Sequence, residues 1–133
     1  MDGPDDMVRL LEQEDPPFDH VMACVFVIGQ RETRTYLTLL DRPGSTVEEL
    51  ADALDRDRSN VNRSLVRLLE LDLVKRDRRL LDSGGYVYQY TATPLEETKE
   101  RLHQALDDWT ERVHGQIESF GVDGLEDFPA NEE

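Results

Sequence analysis

Three observations in the sequence predict a mainly α-helical chain that carries one small β-hairpin. Apolar residues recur at helical spacing through residues 18–71, the period changes over 73–92, where Tyr86, Tyr88 and Tyr90 alternate, and the helical period returns over 94–120. The first helix is expected in the run VMACVFVI at 21–28, opening at Asp19, with Gly29 just past its end. Eight apolar residues fit a strand as well as a buried helix, and the helical segments that follow favour the helix. A second helix over 31–40 brings Tyr36, Leu37, Leu39 and Leu40 to helical spacing, and DRPG at 41–44 breaks it. Thr46 followed three residues later by Glu49 is a capping box. It opens a short helix that turns Val47, Leu50, Ala51 and Leu54 inward. Asp57 caps the next helix, in which Val61, Leu65, Leu68 and Leu69 fall at i, i+4, i+7 and i+8, and which ends near Leu71 and Asp72.

Segments 73–81 and 86–92 then flank Asp-Ser-Gly-Gly, where the glycine pair supplies the positive φ of a hairpin turn. Tyr86, Tyr88 and Tyr90 alternate and therefore share one face of the second strand. Thr93 is expected as the cap of the last helix, with Pro94 in its first turn. Two helices joined across a tight turn at 55–57 make a helix-turn-helix, and the hairpin makes it winged. The expected organisation is an acidic leader at 1–17, a winged helix-turn-helix at 18–93, a dimerisation helix at 94–120 and an acidic tail from 121 to 133. In the leader, Asp5 and Asp6 are placed to cap a short helix through Met7, Val8, Leu10 and Leu11.

The 133 residues carry 15 Lys+Arg and 30 Asp+Glu, a net charge of −15 that taken alone argues against nucleic acid. Thirteen of the cations are Arg and two are Lys, and surplus carboxylate beside scarce Lys fits a protein from a salt-in halophile. The charge is uneven along the chain. Residues 1–55 hold 4 bases and 13 acids (−9), residues 80–133 hold 3 and 13 (−10), and residues 56–79 hold 8 and 4 (+4). An acidic molecule with one basic window has a place for an anionic partner, and that window coincides with the helix that Asp57 caps and with the first strand.

On that helix the outward positions are Arg58, Ser59, Asn60, Asn62, Arg63, Ser64 and Arg67, and no acid occurs from Arg58 to Leu69. Arg pairs bidentately with guanine, Asn with adenine, and Ser adapts to either. Ser59, Asn60, Asn62 and Arg63 lie in the half of a recognition helix that enters the major groove, and are assigned to base reading. Arg58 and Arg67 are assigned to phosphates, together with the amides near Thr46 at a helix start. Lys75, Arg76, Arg78 and Arg79 precede the glycine tip and suit a phosphate backbone, or place an Arg in the minor groove. The expected partner is double-stranded DNA.

The stretch GQRETRTYLTLLDRPGSTVEELADALDRDRSNVNRSLVRLLELDLVKR, with the Tyr-rich strand and PLEETKERL after it, resembles the DNA-binding domain of the TrmB family of archaeal transcriptional regulators over roughly residues 26–105. The resemblance implies operator binding as a dimer. The chain stops after one long helix where the family's sugar sensors continue, so a sugar effector is not expected, although another ligand remains an alternative. More narrowly, the short single-cysteine form is similar to thiol-based oxidative-stress regulators of haloarchaea.

The last helix aligns Leu102, Leu106, Trp109, Val113, Ile117 and Phe120 at spacings of three and four, which predicts a homodimer seam. A symmetric dimer presents two recognition helices to a pseudo-palindromic operator. Cys24 allows neither an intramolecular disulfide nor a cysteine-based zinc finger. It reads either as an inert core residue or, with His20 four positions earlier, as a thiolate whose oxidation resets the dimer. No metal site or cofactor is expected, because the ligands His20 and Cys24 would need distant partners such as His103 or His114. The chain shows no phosphate loop, nucleophile elbow or His-Glu metal motif, so no enzyme is expected. No signal-peptide pattern and no long apolar run occur, and a cytoplasmic protein with no membrane partner is expected. The competing reading is a winged helix used for protein contact in a transcription assembly. It would place apolar residues on the outer face of 58–67, where this chain has Arg, Asn and Ser.

Overall fold

The computed structural model describes residues 12–121, and the short helix expected at 7–11 and the acidic tail beyond 121 lie outside the described residues. The described elements are α1 (Phe18–Val25), α2 (Gln30–Asp41), α3 (Val47–Leu54), α4 (Arg58–Glu70), β1 (Val74–Leu80), β2 (Tyr86–Ala92) and α5 (Leu95–Ser119). This is the winged helix-turn-helix with a long C-terminal helix. No helix among the described residues is long and apolar enough to cross a membrane. Two compact units divide the chain after Leu102, so the first holds α1 to the start of α5 and the second holds the rest of α5.

Apolar spacing places the core as expected. Met22, Tyr36, Leu39, Leu50, Val61, Leu65, Leu68 and Leu73 are fully buried, with Phe18, Val25, Val47, Leu54 and Leu69 partly buried against them. The capping box forms in both directions: Thr46 Oγ1 accepts from Glu49 N–H (3.2 Å) and Glu49 Oε1 accepts from Thr46 N–H (3.0 Å). Asp55 ends α3 in the left-handed conformation (φ 54°), and two residues on Asp57 accepts from Asn60 N–H at 2.9 Å and starts α4. The helix-turn-helix turn is thus fixed by one Asp at each end.

Two capping assignments are corrected. Gly29 does not close α1. It stands in extended backbone (φ −85°, ψ −178°) as the residue before α2, and its N–H donates to Glu32 Oε1 at 2.9 Å. The reversal after α1 is made by Val27 at φ 57°, a costly position for a β-branched residue, which leaves Ile28 buried behind it. Thr93 does not cap α5. Its hydroxyl donates to the Asp72 carbonyl (2.9 Å) and its N–H to the Leu73 carbonyl (2.8 Å), while the Pro94 carbonyl accepts the first helical bond from Thr98 N–H (3.1 Å). Thr93 is buried, and these two bonds tie the end of β2 back to the residues that follow α4.

The hairpin is antiparallel from Val74↔Ala92 to Leu80↔Tyr86, and its tip takes positive φ at Gly84 (97°) and Gly85 (79°). Its base is pinned to the loop before α3: Tyr90 N–H donates to the Ser45 carbonyl and Gly44 N–H to the Tyr90 carbonyl, both at 2.8 Å. At the other end, Tyr36 ties α2 to the start of α5. Its hydroxyl donates to the Thr93 carbonyl (2.8 Å) and lies 2.7 Å from Thr98 Oγ1. Burial pushes the Tyr36 phenol above its usual value.

Leu102, expected on the dimer seam, packs instead into the core of the first unit at 8% exposure. On the described part of the second unit, the rest of α5, Leu106, Trp109, Val113 and Ile117 are all exposed, and Phe120 just beyond the helix is also exposed.

Candidate nucleic-acid interface

α4 sits on its buried Val61, Ser64, Leu65 and Leu68, which leaves Arg58, Ser59, Asn62 and Arg63 facing outward. The orientation of this face rests on Arg56, which the sequence counted as one more cation of the basic window. Its guanidinium is half-buried in the turn and donates to Thr35 Oγ1 on α2 (2.9 Å), to Ser64 Oγ (2.7 Å) and to Asn60 Oδ1 (2.8 and 3.2 Å) on α4. Burial, and then the nearby charge of Arg31, lower its pKa from the ordinary arginine value. One side chain thereby joins α2 to α4.

This bonding changes how Asn60 is read. A bidentate grip on adenine uses both the carbonyl and the amide of Asn. Here the Asn60 carbonyl is held by Arg56, and the residue is half-buried. Ser59, Asn62 and Arg63 are exposed, with Ser59 Oγ 3.4 Å from Asp57 Oδ1. Of the cations assigned to phosphate, Arg58 lies 3.4 Å from Glu48 and Arg67 lies 3.4 Å from Glu70, both as exposed pairs. Such pairs are worth about 0–1 kcal/mol and yield readily to a stronger anion.

A cleft of about 470 Å³ brings the separate assignments together. Thr46 at the start of α3, Arg58 and Asn62 on α4, and Arg79 and Tyr88 on the hairpin all line it. Glu48 lines it too, so the cleft mixes cations with a carboxylate, and backbone N–H groups in the first turn of α3 lack an intrahelical acceptor.

The two faces of the hairpin differ. Lys75, Asp77 and Arg79 alternate with Arg76 and Arg78. Arg76 lies over the Tyr88 ring at 4.1 Å and Arg78 over the Tyr86 ring at 4.7 Å, while the two rings meet edge to face at 5.3 Å. The Tyr88 side chain and then Arg78 pull the Tyr86 hydroxyl below its usual value. Alternation in the sequence puts these tyrosines on one face of the strand, but it does not show that Tyr86 and Tyr88 each carry a guanidinium.

Arg101 was also missed. It donates to the Leu71 and Asp72 carbonyls at the end of α4 and lies over the Phe26 ring at 5.6 Å. It satisfies carbonyls at the end of α4, and no local sequence signal marks it. Cys24 is half-buried on α1, and the exposed His20 pairs through Nδ1 with the Gln13 side chain at 3.1 Å.

With this geometry in view, the family described as "Sugar-specific transcriptional regulator TrmB" matches residues 22–96, which spans the winged domain. The chain belongs to the TrmB family. Among relatives of this TrmB-family chain are two uncharacterized proteins of Methanocaldococcus jannaschii. MJ1503 is 36% identical over 103 residues, covering 77% of this chain and 78% of its own length. MJ1082 is 33% identical over 95 residues, covering 71% and 78%. A solved structure of a possible transcriptional regulator from Methanosarcina mazei is similar in fold, with a TM-score of 0.69 at 24% identity over 75% of this chain and 85% of that one. The ST1889 protein of Sulfolobus tokodaii follows with a TM-score of 0.58 at 24% identity, covering 70% and 91%.

Proposed function

We propose that this TrmB-family regulator is a homodimer that reads a pseudo-palindromic DNA operator through the exposed face of α4. The observation that carries the reading is the carboxylate-free row of Ser59, Asn62 and Arg63, presented beside the cleft that holds Thr46, Arg58 and Arg79. Ser59, Asn62 and Arg63 contact base edges. Arg58, Arg67, Lys75, Arg79 and the amides at Thr46 fix the register on phosphates. Asn60 is assigned to holding Arg56 in place, which is what its bonding supports. The dimer is supported by the row of Leu106, Trp109, Val113, Ile117 and Phe120, each at least 36% exposed, which a second copy of the same helix would cover. A sedimentation experiment in molar salt that finds a clean monomer removes the dimer.

The composition supports function at high salt, where the Debye length is about 3 Å. Repulsion between the acidic flanks and DNA is then screened, and so is nonspecific attraction, which leaves affinity to close contacts such as Arg63. Fluorescence anisotropy with duplexes selected by the wild-type protein tests the assignment, because Arg63→Ala is expected to lose sequence preference. Undiminished selectivity in that variant refutes it.

An oxidant response through Cys24 is a further part of the proposal, supported by the resemblance and by the half-buried position of the thiol on α1. The decisive comparison is DNA occupancy with and without oxidant in the parent and in Cys24→Ser. An unchanged oxidant dependence in the variant ends the idea.

A further inference from the structure

The most exposed large apolar side chain among those described is not on the dimerisation helix but near the end of the wing. Leu80 is 79% exposed on the last pair of the ladder, opposite Tyr86, which is 45% exposed. Their face of the hairpin continues inward through Arg78 and Tyr88 and then Arg76 and Tyr90, and it contains no carboxylate in a chain with 30 of them. Asp77 falls on the opposite face, paired with Gln89.

This end of the wing is held in shape. Leu81 N–H donates to the Gly85 carbonyl (3.1 Å) and Gly84 N–H to the Leu81 carbonyl (3.0 Å), which closes the turn. Arg76 and Arg78 are fixed over Tyr88 and Tyr86, so their guanidiniums need little further ordering when they meet an anion. An exposed leucine at the end of two aligned, stacked cations has no role in the core and is costly in water.

We propose that Leu80, backed by Tyr86, is an apolar wedge that enters the minor groove of bound DNA and opens a base step there. The occupant follows from charge and spacing. Alternate residues of a strand repeat at about 6.6 Å, close to the roughly 6.8 Å of two base pairs, so Arg76, Arg78 and Leu80 meet successive pairs of base pairs when the strand follows the groove. A minor groove about 6 Å wide excludes a two-stranded hairpin but admits single side chains from its edge. Its walls are phosphates, which suit the two guanidiniums, and its floor is made of sugars and base edges, which suit leucine. The wedge would make the operator depend on how easily one step deforms, at a position that α4 does not touch.

The inference rests on the DNA reading above, and the experiment separates the two. The full chain selects duplexes from a random-sequence pool in molar KCl. The selected duplexes are then labelled with end dyes to report bending and with 2-aminopurine stepped through the flanks of each half-site. The expected result is a bend and a local rise in 2-aminopurine fluorescence at one flanking step. Leu80→Ala loses both and weakens binding by about tenfold. Leu80→Phe keeps both, and Leu37→Ala, which removes another exposed leucine, changes neither. Leu80 lies outside the core, so a wild-type melting profile for Leu80→Ala is the folding control. If Leu80→Ala retains both signals while selecting the same sequences, the wedge is wrong and the α4 reading stands. If the variant shifts the sedimentation of the free protein and leaves both signals intact, the wing end is a contact between copies and the proposal fails. If the wild type selects no sequence at all, the DNA reading fails and takes the wedge with it.

Discussion

The recognition helix and the wing both display arginines, but they hold them by opposite means. On α4 the helix itself is fixed, by Val61, Leu65 and Leu68 below it and by Arg56 at its entry, while Arg63 on its outer face is exposed. On the wing the scaffold is a two-stranded hairpin, and the cations Arg76 and Arg78 are themselves fixed on Tyr88 and Tyr86. A rigid platform with adaptable tips suits the reading of base edges, where a side chain must find a bidentate geometry. A thin platform with fixed cations suits a charged, shaped groove, where direction matters more than donor pattern.

The largest expected effect comes from breaking the platform of α4. Arg56→Ala strips a guanidinium from Thr35, Asn60 and Ser64, of which Thr35 and Ser64 are buried. Thermal denaturation should show a loss of about 2–3 kcal/mol. Arg56→Lys should recover little, because one compact ammonium cannot reach the acceptors on both helices at once. A loss under about 0.5 kcal/mol for Arg56→Ala would show that packing alone sets the helix angle.

Next in size is the contrast between reading and holding. Arg63→Ala should cost about 1–3 kcal/mol on selected DNA and flatten the preference at one base position. Arg79→Gln should weaken all sequences alike and reduce the slope of log affinity against log salt by about 1. If the two variants give the same salt slope and the same sequence profile, the division of labour between α4 and the wing does not exist. A smaller effect is expected from Asp57→Ala, which removes the acceptor of Asn60 N–H at the start of α4. It should lower stability by about 1 kcal/mol.

How much of this was legible in the sequence follows the range of the forces involved. Thr46 with Glu49, and Asp57 with Asn60, are contacts three residues apart, so their spacing displays them. The hairpin register follows from the glycine pair and the alternation of tyrosines, and the family resemblance reached residues that the family match also covers. Gly29 was misread because two signals overlapped: a glycine after an apolar run looks like an ending, while Glu32 three residues later makes it a beginning. Arg101 and the cross-helix bond of Arg56 were out of reach, since Leu71 and Asp72 lie 30 and 29 residues from Arg101 and Thr35 lies 21 from Arg56, whereas Asn60 is four residues from Arg56. Counted as charge they look functional or incidental, and in the fold they act as hydrogen-bond donors to polar groups of other elements.

The smallest effect tests whether the cations on α4 are as available as the contrast requires. Arg58 lies 3.4 Å from Glu48 with side chains 68% and 71% exposed, and both residues line the cleft with Thr46 and Asn62. A DNA phosphate arriving there competes with Glu48 for Arg58 and is repelled by the same carboxylate. Glu48→Gln should therefore tighten DNA binding a few-fold at low salt and leave thermal stability unchanged, because exposed pairs contribute about 0–1 kcal/mol. The gain should fade toward molar salt as the carboxylate is screened within about 3 Å. The acids of this chain would then serve two ends, with most meeting the solvent and Glu48 holding a phosphate contact in reserve until DNA displaces it. If Glu48→Gln weakens binding at every salt concentration, Glu48 positions Arg58 for the phosphate instead of competing with it, and the adaptable cations of α4 are more like the fixed ones of the wing than the present contrast allows.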